Sequence, residues 1–288
     1  MKTIKSTPLQ EINRILNEIL LINVRPSIKK SKNYIENCFE NNNYLIGRFS
    51  DVNGNPQKAF KLLEEYDYHT AQHGIEVREM SMNLSKHMDK EFDENLLDAA
   101  LLHDIGKAPL PKEVLYKEKF SGERLTKEEK RKIRTHPIMG ESIGIIAKLH
   151  PSIVYAAAAH HDYKNGRGYP HINPKGIIEM LVTLYPDIYK ESLDKQRIIG
   201  NTNLITLCND MSLIGDASII SVADMICATI DPNRKEYQKK YTKSQLYNIL
   251  LKRLKDGFYE KNTVRAYLRH EGKKDTLITK IFEIYGIK

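Results

Sequence analysis

The sequence predicts an all-α protein, and two observations carry that prediction. Apolar residues recur at intervals of three and four, with polar residues between them, in segments that include 9–20, 97–105, 138–149 and 246–254. Alternation with a period of two is scarce, and clusters of Pro, Gly and Asn separate the periodic segments. We therefore expect helices joined by turns, and the chain contains no internal repeat or low-complexity segment.

The first turn-rich break, at residues 50–57, is the candidate domain boundary. Residues 1–58 would form a small helical cap or partner surface, and residues 59–288 would form the main helical domain. One domain running through from residue 1 is the alternative. The amphipathic pattern of the first part suits a homodimer interface, an intramolecular cap or a regulator-binding face, and the pattern does not choose among them.

Composition and charge narrow the class of protein. With 288 residues and 41% hydrophobic residues, the chain can bury a substantial core. The net charge of +8 fits either a Lys-rich surface or attraction to polyanions such as nucleotides. Because glutamates interrupt the basic clusters at 127–134 and 234–243, these clusters are typical of exposed helix faces, and we expect no DNA or RNA partner.

Cysteine usage and hydropathy indicate a location. The three cysteines, Cys38, Cys208 and Cys227, include no CxxC pair, which argues against a disulfide framework and a cysteine zinc site. The first residues lack the apolar core of a signal peptide, and no uncharged apolar stretch of about 18 residues predicts a membrane span. We therefore expect a cytoplasmic protein.

A His–Asp pair ends one of the apolar helical segments, in the run Ala-Ala-Leu-Leu-His103-Asp104-Ile-Gly-Lys107. A histidine and a carboxylate side by side can reach one metal ion where a helix ends. Lys107 lies on the same face as Asp104, three residues on, where its ammonium could meet a phosphate oxygen. A surface ion pair is the alternative, and the apolar setting disfavours it.

A second cluster, His160-His161-Asp162, follows a run of four alanines and leads into a Gly-rich turn at residues 163–170. Adjacent histidines at a helix end can act as a pair of imidazole ligands. Glycines in the turn, at 166 and 168, let the backbone take a positive φ and approach a ligand closely. A charged helix end followed by an ordinary loop is the alternative.

Three further positions complete the set. His73 lies four residues after His69, so both face the same side of a helix. His136 precedes a proline, and Asp224 lies in an otherwise apolar helix, where a buried carboxylate is costly unless it is paired or bound to a metal. We expect structural roles for the remaining histidines, which are His87, His150, His171 and His270.

Together these motifs resemble the signatures of the HD-GYP subgroup of HD-domain phosphohydrolases. The matching runs are Leu-Leu-His103-Asp104-Ile-Gly-Lys107, His136-Pro, and His160-His161-Asp162 through Gly168-Tyr169-Pro170, with His73 and Asp224 in the expected order. The resemblance covers about residues 62–254. It implies a helical fold, two or sometimes three transition metals, often iron or manganese, and hydrolysis of cyclic di-GMP to the linear dinucleotide or GMP.

The resemblance also implies a role for each matching residue. The first metal would be held by His73, His103, Asp104 and Asp224. Asp104 would bridge to a second metal held by His136, His160 and His161. A metal-activated hydroxide would attack phosphorus in line while Lys107 stabilises charge on the phosphate. The substrate contacts would come from Lys107, Gly168, Tyr169, Pro170 and Arg234.

Several departures from the subgroup pattern bear on these roles. Asp162 replaces the usual Glu, Cys227 stands where a second Asp is usual, and the run around Arg234 differs from the usual Arg-Pro-Tyr-Arg. His69 stands where trinuclear members carry Glu, so we expect two metals, with His69 a candidate ligand for a third. Pro170 and Asp224 are separated by roughly twice the usual spacing, which indicates an insertion near 177–213 that could be a lid, a partner surface or a substrate-selecting wall.

A cyclic-dinucleotide phosphodiesterase is the favoured function, because every ligand of a dinuclear site is present. An HD hydrolase of cyclic GMP-AMP or another nucleotide is the alternative suggested by the altered Arg234 segment and the insertion. The alternative of another class is a non-catalytic nucleotide-binding or interaction module. The complete ligand set argues against that module, because buried His and Asp side chains without a role are costly to keep.

Overall fold

The computed structural model describes residues 6–22, 29–90, 93–117, 121–170, 173–188, 213–231 and 241–287. These residues contain helices and no strand, and the structure is 73% helical, which confirms the predicted all-α class. In chain order the elements are α1 (Pro8–Ile22), α2 (Lys32–Asn41), α3 (Asn43–Ser50), α4 (Pro56–Tyr66), α5 (Tyr68–Lys86), α6 (Glu94–Leu102), a 3-10 turn (Ile105–Lys107), α7 (Lys112–Leu115), α8 (Lys127–Ile133), α9 (His136–Ile146), α10 (Pro151–Ala159), α11 (Pro174–Leu184), α12 (Leu213–Ile230), α13 (Lys243–Lys255), α14 (Lys261–His270) and α15 (Asp275–Ile284).

Two helices that are buried along their whole length, α9 and α10, form the centre of the fold. They pack against each other, α6 packs against α10, and α5 packs against both α6 and α12. Small side chains allow this close approach, because a Cβ at Gly144 of α9 would already lie 3.0 Å from Val154 of α10. As a result, the C-terminal ends of α6 and α10 meet the N-terminal end of α9.

The 3-10 turn after α6 packs directly on the backbone of α9, and Gly106 makes this contact possible. A Cβ at Gly106 would lie 1.9 Å from the carbonyl oxygen of His136 and 2.4 Å from the backbone nitrogen of Gly140. Since both neighbours are backbone atoms in a buried helix, they cannot move aside cheaply. The glycine therefore determines how closely Asp104 approaches His136.

Helix α12 is long and apolar enough to cross a membrane by length and composition, with a mean hydropathy of 1.7 over its 18 residues. No other helix in the described ranges passes that test. Two thirds of α12 is buried inside the protein, where it packs against α5 and α10, and it carries Asp216 and Asp224. A core helix passes the same test, so α12 is weak evidence for a membrane span.

The N-terminal helices lie against the rest of the protein. Helix α1 packs against α9 and α3 and buries Ile12, Leu16 and Ile19, which are residues of the predicted apolar pattern. The domain boundary near residue 58 stays a prediction. Most of the expected insertion, residues 189–212, lies outside the described residues.

We predict that Gly106→Ala strongly destabilises the protein. Overpacking against rigid backbone typically costs about 1–3 kcal/mol, and the contact here is closer than an ordinary overpacked site. Urea unfolding measures the loss. Gly47→Ala in α3 is the matched control, since a Cβ there meets nothing within 4 Å, and it should stabilise α3 by about 0.5–1 kcal/mol. Equal unfolding midpoints for the two variants would contradict the proposed packing constraint.

Candidate metal centre

All seven residues predicted to bind metal lie in two adjoining groups. One group consists of His73, His103 and Asp224, and the other consists of Asp104, His136, His160 and His161. Within each group the candidate ligand atoms lie within 4.8 Å of one another. Residues in α5, α9 and α12, and at the C-terminal ends of α6 and α10, are thus brought together, and His73 and Asp224 are 151 positions apart in the sequence.

Helix ends supply most of these side chains. Helix α6 ends at Leu102, so His103 and Asp104 follow at its C-terminus. Helix α10 ends at Ala159 and is capped by His160. Helix α9 begins at His136, and a proline follows in its first turn. Proline suits this position because it lacks a backbone N–H, and N–H groups in the first turn have no partner within the helix. His73 and Asp224, in contrast, lie within α5 and α12.

Backbone hydrogen bonds fix the orientation of three buried rings. In each, Nδ1 lies close to a carbonyl oxygen one turn back in the chain, at 2.7 Å for His103, 2.8 Å for His136 and 2.9 Å for His160. Because a carbonyl can only accept, each Nδ1 donates, and in the neutral ring Nε2 then carries the lone pair. This is the usual arrangement that orients a metal-ligating histidine.

The three Nε2 atoms converge on the carboxylate of Asp104. Its Oδ1 lies 3.2 Å from His136 Nε2 and 3.6 Å from His160 Nε2, and its Oδ2 lies 3.3 Å from His103 Nε2. His136 Nε2 and His160 Nε2 are only 3.1 Å apart. Two lone pairs at this distance repel each other, so a cation bound by both atoms would stabilise the arrangement.

Two buried atoms in this cluster test whether a metal fits. His103 Nε2 and Asp104 Oδ1 are buried and have no hydrogen-bond partner among the described residues. Buried polar atoms without a partner are costly, so they indicate a missing ligand. Neutral imidazoles and carboxylates together suit a divalent transition metal. The residues present therefore fit the metal ions that the sequence analysis predicts.

Asp104 also connects the two groups. One of its oxygens faces His103 in the first group and the other faces His136 and His160 in the second. Asp224 completes the first group, with Oδ1 2.9 Å from His73 Nε2 and 3.9 Å from His103 Nε2. With one oxygen toward each group, Asp104 could bind a cation in each of them.

The electrostatics of the cluster favour the protonation states that metal binding needs. Burial would raise the pKa of Asp104, but opposing contributions, led by the charge of the Lys107 ammonium, hold that pKa well below its usual range. Burial lowers the pKa of His136 to about 4, and it holds the pKa of His161 well below its usual value. Near neutral pH the carboxylate is therefore charged and these imidazoles are neutral, so neither must lose a proton to bind metal.

The predicted substrate contacts border the second group. The ammonium of Lys107 contacts Asp104 Oδ2, because the 3-10 turn places both on one face. Tyr169 packs its ring on His161, with centroids 4.6 Å apart and planes 31° apart, and the Tyr169–Pro170 peptide is cis. The residue roles assigned to Lys107 and to the Gly168-Tyr169-Pro170 loop stay predictions.

The two turn glycines act differently from the expectation that both take a positive φ. Gly166 has a φ of 68°, whereas Gly168 has none in the left-handed region. A Cβ at Gly168 would lie 2.0 Å from the carbonyl oxygen of His161. Gly168 therefore allows a close approach to the protein's own backbone and not to a ligand. This contact folds the loop back onto the His160–His161 pair.

The remaining predicted residues lie outside both groups or outside the described residues. His69 is exposed and belongs to neither group, and its ring meets that of Tyr116 edge-on at 5.3 Å. Its role as a third-metal ligand stays a prediction.

His150 accepts a hydrogen bond that caps α10, and His87 packs near His270. Three positions lie outside the described residues, namely His171, Cys208 and Arg234.

Arg134 is a residue at this site that the sequence analysis did not single out. Its guanidinium lies 5.3 Å from the centre of the Tyr169 ring, at the rim of the second group. It belongs to the basic cluster 127–134, whose other members were correctly expected to lie on an exposed helix. In the sequence, only its position two residues before His136 indicated that Arg134 lies near the metal ligands.

Comparison with protein families matches residues 57–176 to the HD domain. The matched segment contains all of the candidate metal ligands except Asp224. The match supports a metal-dependent phosphohydrolase in general terms, without indicating the HD-GYP subgroup or a particular substrate. Neither the curated proteins nor the solved structures include a significant match to the chain.

We predict that Asp104→Ala loses bound metal from both groups, because its Oδ1 faces His136 and His160 of the second group and its Oδ2 faces His103 of the first. Metal analysis of protein purified anaerobically measures the loss. Asp98→Ala is the matched control, since this carboxylate is also buried and lies in α6, but belongs to neither group. Retention of two metals per chain by the Asp104 variant would show that the site is misplaced.

Proposed function

We propose that this protein is a metal-dependent phosphodiesterase that hydrolyses a cyclic dinucleotide, with cyclic di-GMP as the substrate and linear pGpG, GMP or both as products. The observation that carries the proposal is that the two oxygens of Asp104 face histidines of different ligand groups. Two cations held by one carboxylate are suited to in-line attack on a phosphate ester. The HD-domain match at residues 57–176 supports the hydrolytic class.

The metal ions, when bound, supply an acidified water and a Lewis acid for the phosphate oxygens. The chain's own residues hold and orient that centre. Helix-end hydrogen bonds keep His103, His136 and His160 from rotating, so their lone pairs stay aimed at one point. Burial excludes water from the carboxylate of Asp104, which strengthens every charge interaction there.

Two cationic side chains can neutralise the phosphate. Lys107 already lies on Asp104, and a metal ion at that oxygen would compete with its ammonium and free it for a phosphate oxygen. The guanidinium of Arg134 lies 5.3 Å from the centre of the Tyr169 ring. A guanidinium binds phosphate through two parallel hydrogen bonds, so Arg134 suits the second phosphate of a dinucleotide.

The substrate and metal assignments rest on chemistry and on the subgroup resemblance. The loop of Gly168, Tyr169 and Pro170 lies against His161, where it can shape a cleft for a dinucleotide. We propose two iron or manganese ions per chain, since imidazole and carboxylate ligands suit these metals. A third ion at His69, a homodimer or regulatory partner bound by the N-terminal helices, and a cytoplasmic location remain parts of the proposal.

Anaerobic metal analysis combined with turnover on the same sample tests the function. About two iron or manganese ions per chain, with linear dinucleotide appearing from cyclic di-GMP, is the expected result. Two metals per chain with turnover of cyclic GMP-AMP or another nucleotide would contradict the proposed substrate. The proposed class of reaction would still be supported. Absence of metal even after reconstitution would refute catalysis and favour a nucleotide-binding module.

We predict that Lys107→Ala keeps both metals but lowers kcat by about 100-fold or more, the usual effect of removing one transition-state donor. Lys112→Ala is the matched control, because its ammonium lies 3.0 Å from a different buried carboxylate, that of Asp67. The control should retain nearly full kcat in steady-state assays. An unchanged kcat for the Lys107 variant would remove this residue from the mechanism.

A further inference from the structure

A pocket is lined by residues that are close in sequence to candidate metal ligands: Asp162 follows His161, and Ser221 precedes Asp224 by three residues. It is formed by the C-terminal end of α10, the loop after His161, helix α12 and the turn between α13 and α14. Its free volume is about 170 Å³. Sites for drug-sized ligands occupy roughly 300–1,000 Å³, so this pocket has room for one ring system and not for a whole dinucleotide.

Aromatic side chains form its walls. The Tyr163 ring lies 5.1 Å from that of Phe258 and 5.9 Å from that of Tyr259, the latter at 89°. Arg253 donates a hydrogen bond to the hydroxyl of Tyr259 at 2.7 Å and so holds this wall in place. Bases stack favourably on such rings in nucleic-acid-binding proteins.

Polar contacts at the rim join the two sides of the pocket. Lys164 Nζ lies 3.0 Å from Glu260, and the side-chain amide of Asn165 donates to the carbonyl of Asp256 at 2.8 Å. These contacts hold the loop after His161 against the turn between α13 and α14. The walls are therefore preformed, which lowers the entropy cost of binding a rigid ring.

One hydroxyl lining the pocket has an unmet hydrogen-bonding capacity. Ser221 Oγ is buried and has no partner among the described residues. Helical hydroxyls commonly donate to the carbonyl four residues back, as Thr229 does to Met225 at 2.7 Å, but Ser221 does not. Because a buried hydroxyl without a partner is costly, Ser221 indicates a ligand with a polar edge.

The pocket is next to the proposed reaction site. Ser221 and Asp224 are three residues apart on α12, so they share a face and are separated by about 4.5 Å along the helix axis. Tyr163, which lines the pocket, follows His161 of the second group by two residues.

We propose that this pocket binds one nucleobase of the phosphoester substrate. The base stacks against Tyr163 and Phe258, and its polar edge bonds to the hydroxyl of Ser221. A nucleobase combines a flat π face with hydrogen-bonding groups on its edge, and the pocket presents a partner for each. The inference rests on the proposed function. The base reaches the pocket, one helical turn from Asp224, only if its phosphate is held at the metal ligands.

The absence of tryptophan from the chain gives a direct test. Phe258→Trp places a single indole in the pocket wall, and its fluorescence is followed while the metal-loaded protein is titrated with GMP. We expect saturable quenching by GMP and none by ribose 5-phosphate, which lacks the base. Tyr44→Trp is the matched control, because Tyr44 is 73% exposed on α3 and does not line the pocket. It should show no saturable quenching.

A second substitution tests the hydroxyl. In the Phe258→Trp protein, Ser221→Ala should weaken GMP binding by about 10-fold, as expected for one lost hydrogen bond to a buried group. With a nucleotide substrate it should raise KM while leaving kcat and metal content unchanged. Thr229→Val is the control on the same helix, since that hydroxyl bonds within α12, and it should leave both Kd and KM unchanged. Tyr163→Trp replaces the reporter if the Phe258 variant does not fold.

The outcomes separate the pocket from the catalytic proposal. Quenching that is absent, or equal with ribose 5-phosphate, or unaffected by Ser221→Ala, would overturn the pocket even if the enzyme turns over nucleotides. Saturable, Ser221-dependent quenching would support the pocket. Such quenching without hydrolysis of any cyclic or linear nucleotide would refute the proposed function but would still support the nucleobase site.

Discussion

The structure depends most on one buried carboxylate, that of Asp104. It is 2% exposed and is surrounded by the Nε2 atoms of three histidines, two of which present lone pairs to each other. A charge so deeply buried is strongly unfavourable unless cations or hydrogen-bond donors compensate it. The ammonium of Lys107 provides one compensation, and the ligand geometry provides room for others. The surrounding helices are arranged so that this charge can be kept in the core.

Close packing of small residues makes that arrangement possible. Helices α9 and α10 are buried throughout and approach closely, because glycine and alanine occupy the contact positions. The 3-10 turn then packs on the backbone of α9 through Gly106. Interiors packed to this density transmit small displacements, so the position of a methyl group outside the site affects the distances within it.

The proposed catalytic site and the proposed base pocket share structural elements. Helix α12 carries Asp224 toward the first ligand group and Ser221 toward the pocket. The segment after α10 carries the His160–His161 pair and then Tyr163, which forms a pocket wall. Phosphate and base would therefore be oriented by the same two elements. Such an arrangement aligns a reacting ester because binding of the base restricts the motion of the phosphate.

The polar residues within apolar segments were the informative part of the sequence. A carboxylate such as Asp224 in an apolar helix, or a His–Asp pair at the end of one, indicates a partner, because burial without one is costly. All seven candidate ligands were found in this way or by resemblance to HD-GYP motifs, and the all-α class followed from apolar periodicity. Arg134 was missed because its local pattern is that of an exposed basic helix, and its proximity to Tyr169 depends on how α8 and the loop after α10 pack.

The sequence by itself determined the helical class, the candidate ligands, and the placement of His103, Asp104 and the His160–His161 pair at helix ends. The class and these placements follow from local periodicity and the cost of burying charge, and the full ligand set also drew on the resemblance to HD-GYP motifs. Only the tertiary structure decided which oxygen of Asp104 faces which histidine, that Gly168 approaches its own backbone, and that Ser221 lines an aromatic pocket. These features depend on contacts between segments far apart in the chain. Their distances are set by packing between helices, which local sequence patterns do not encode.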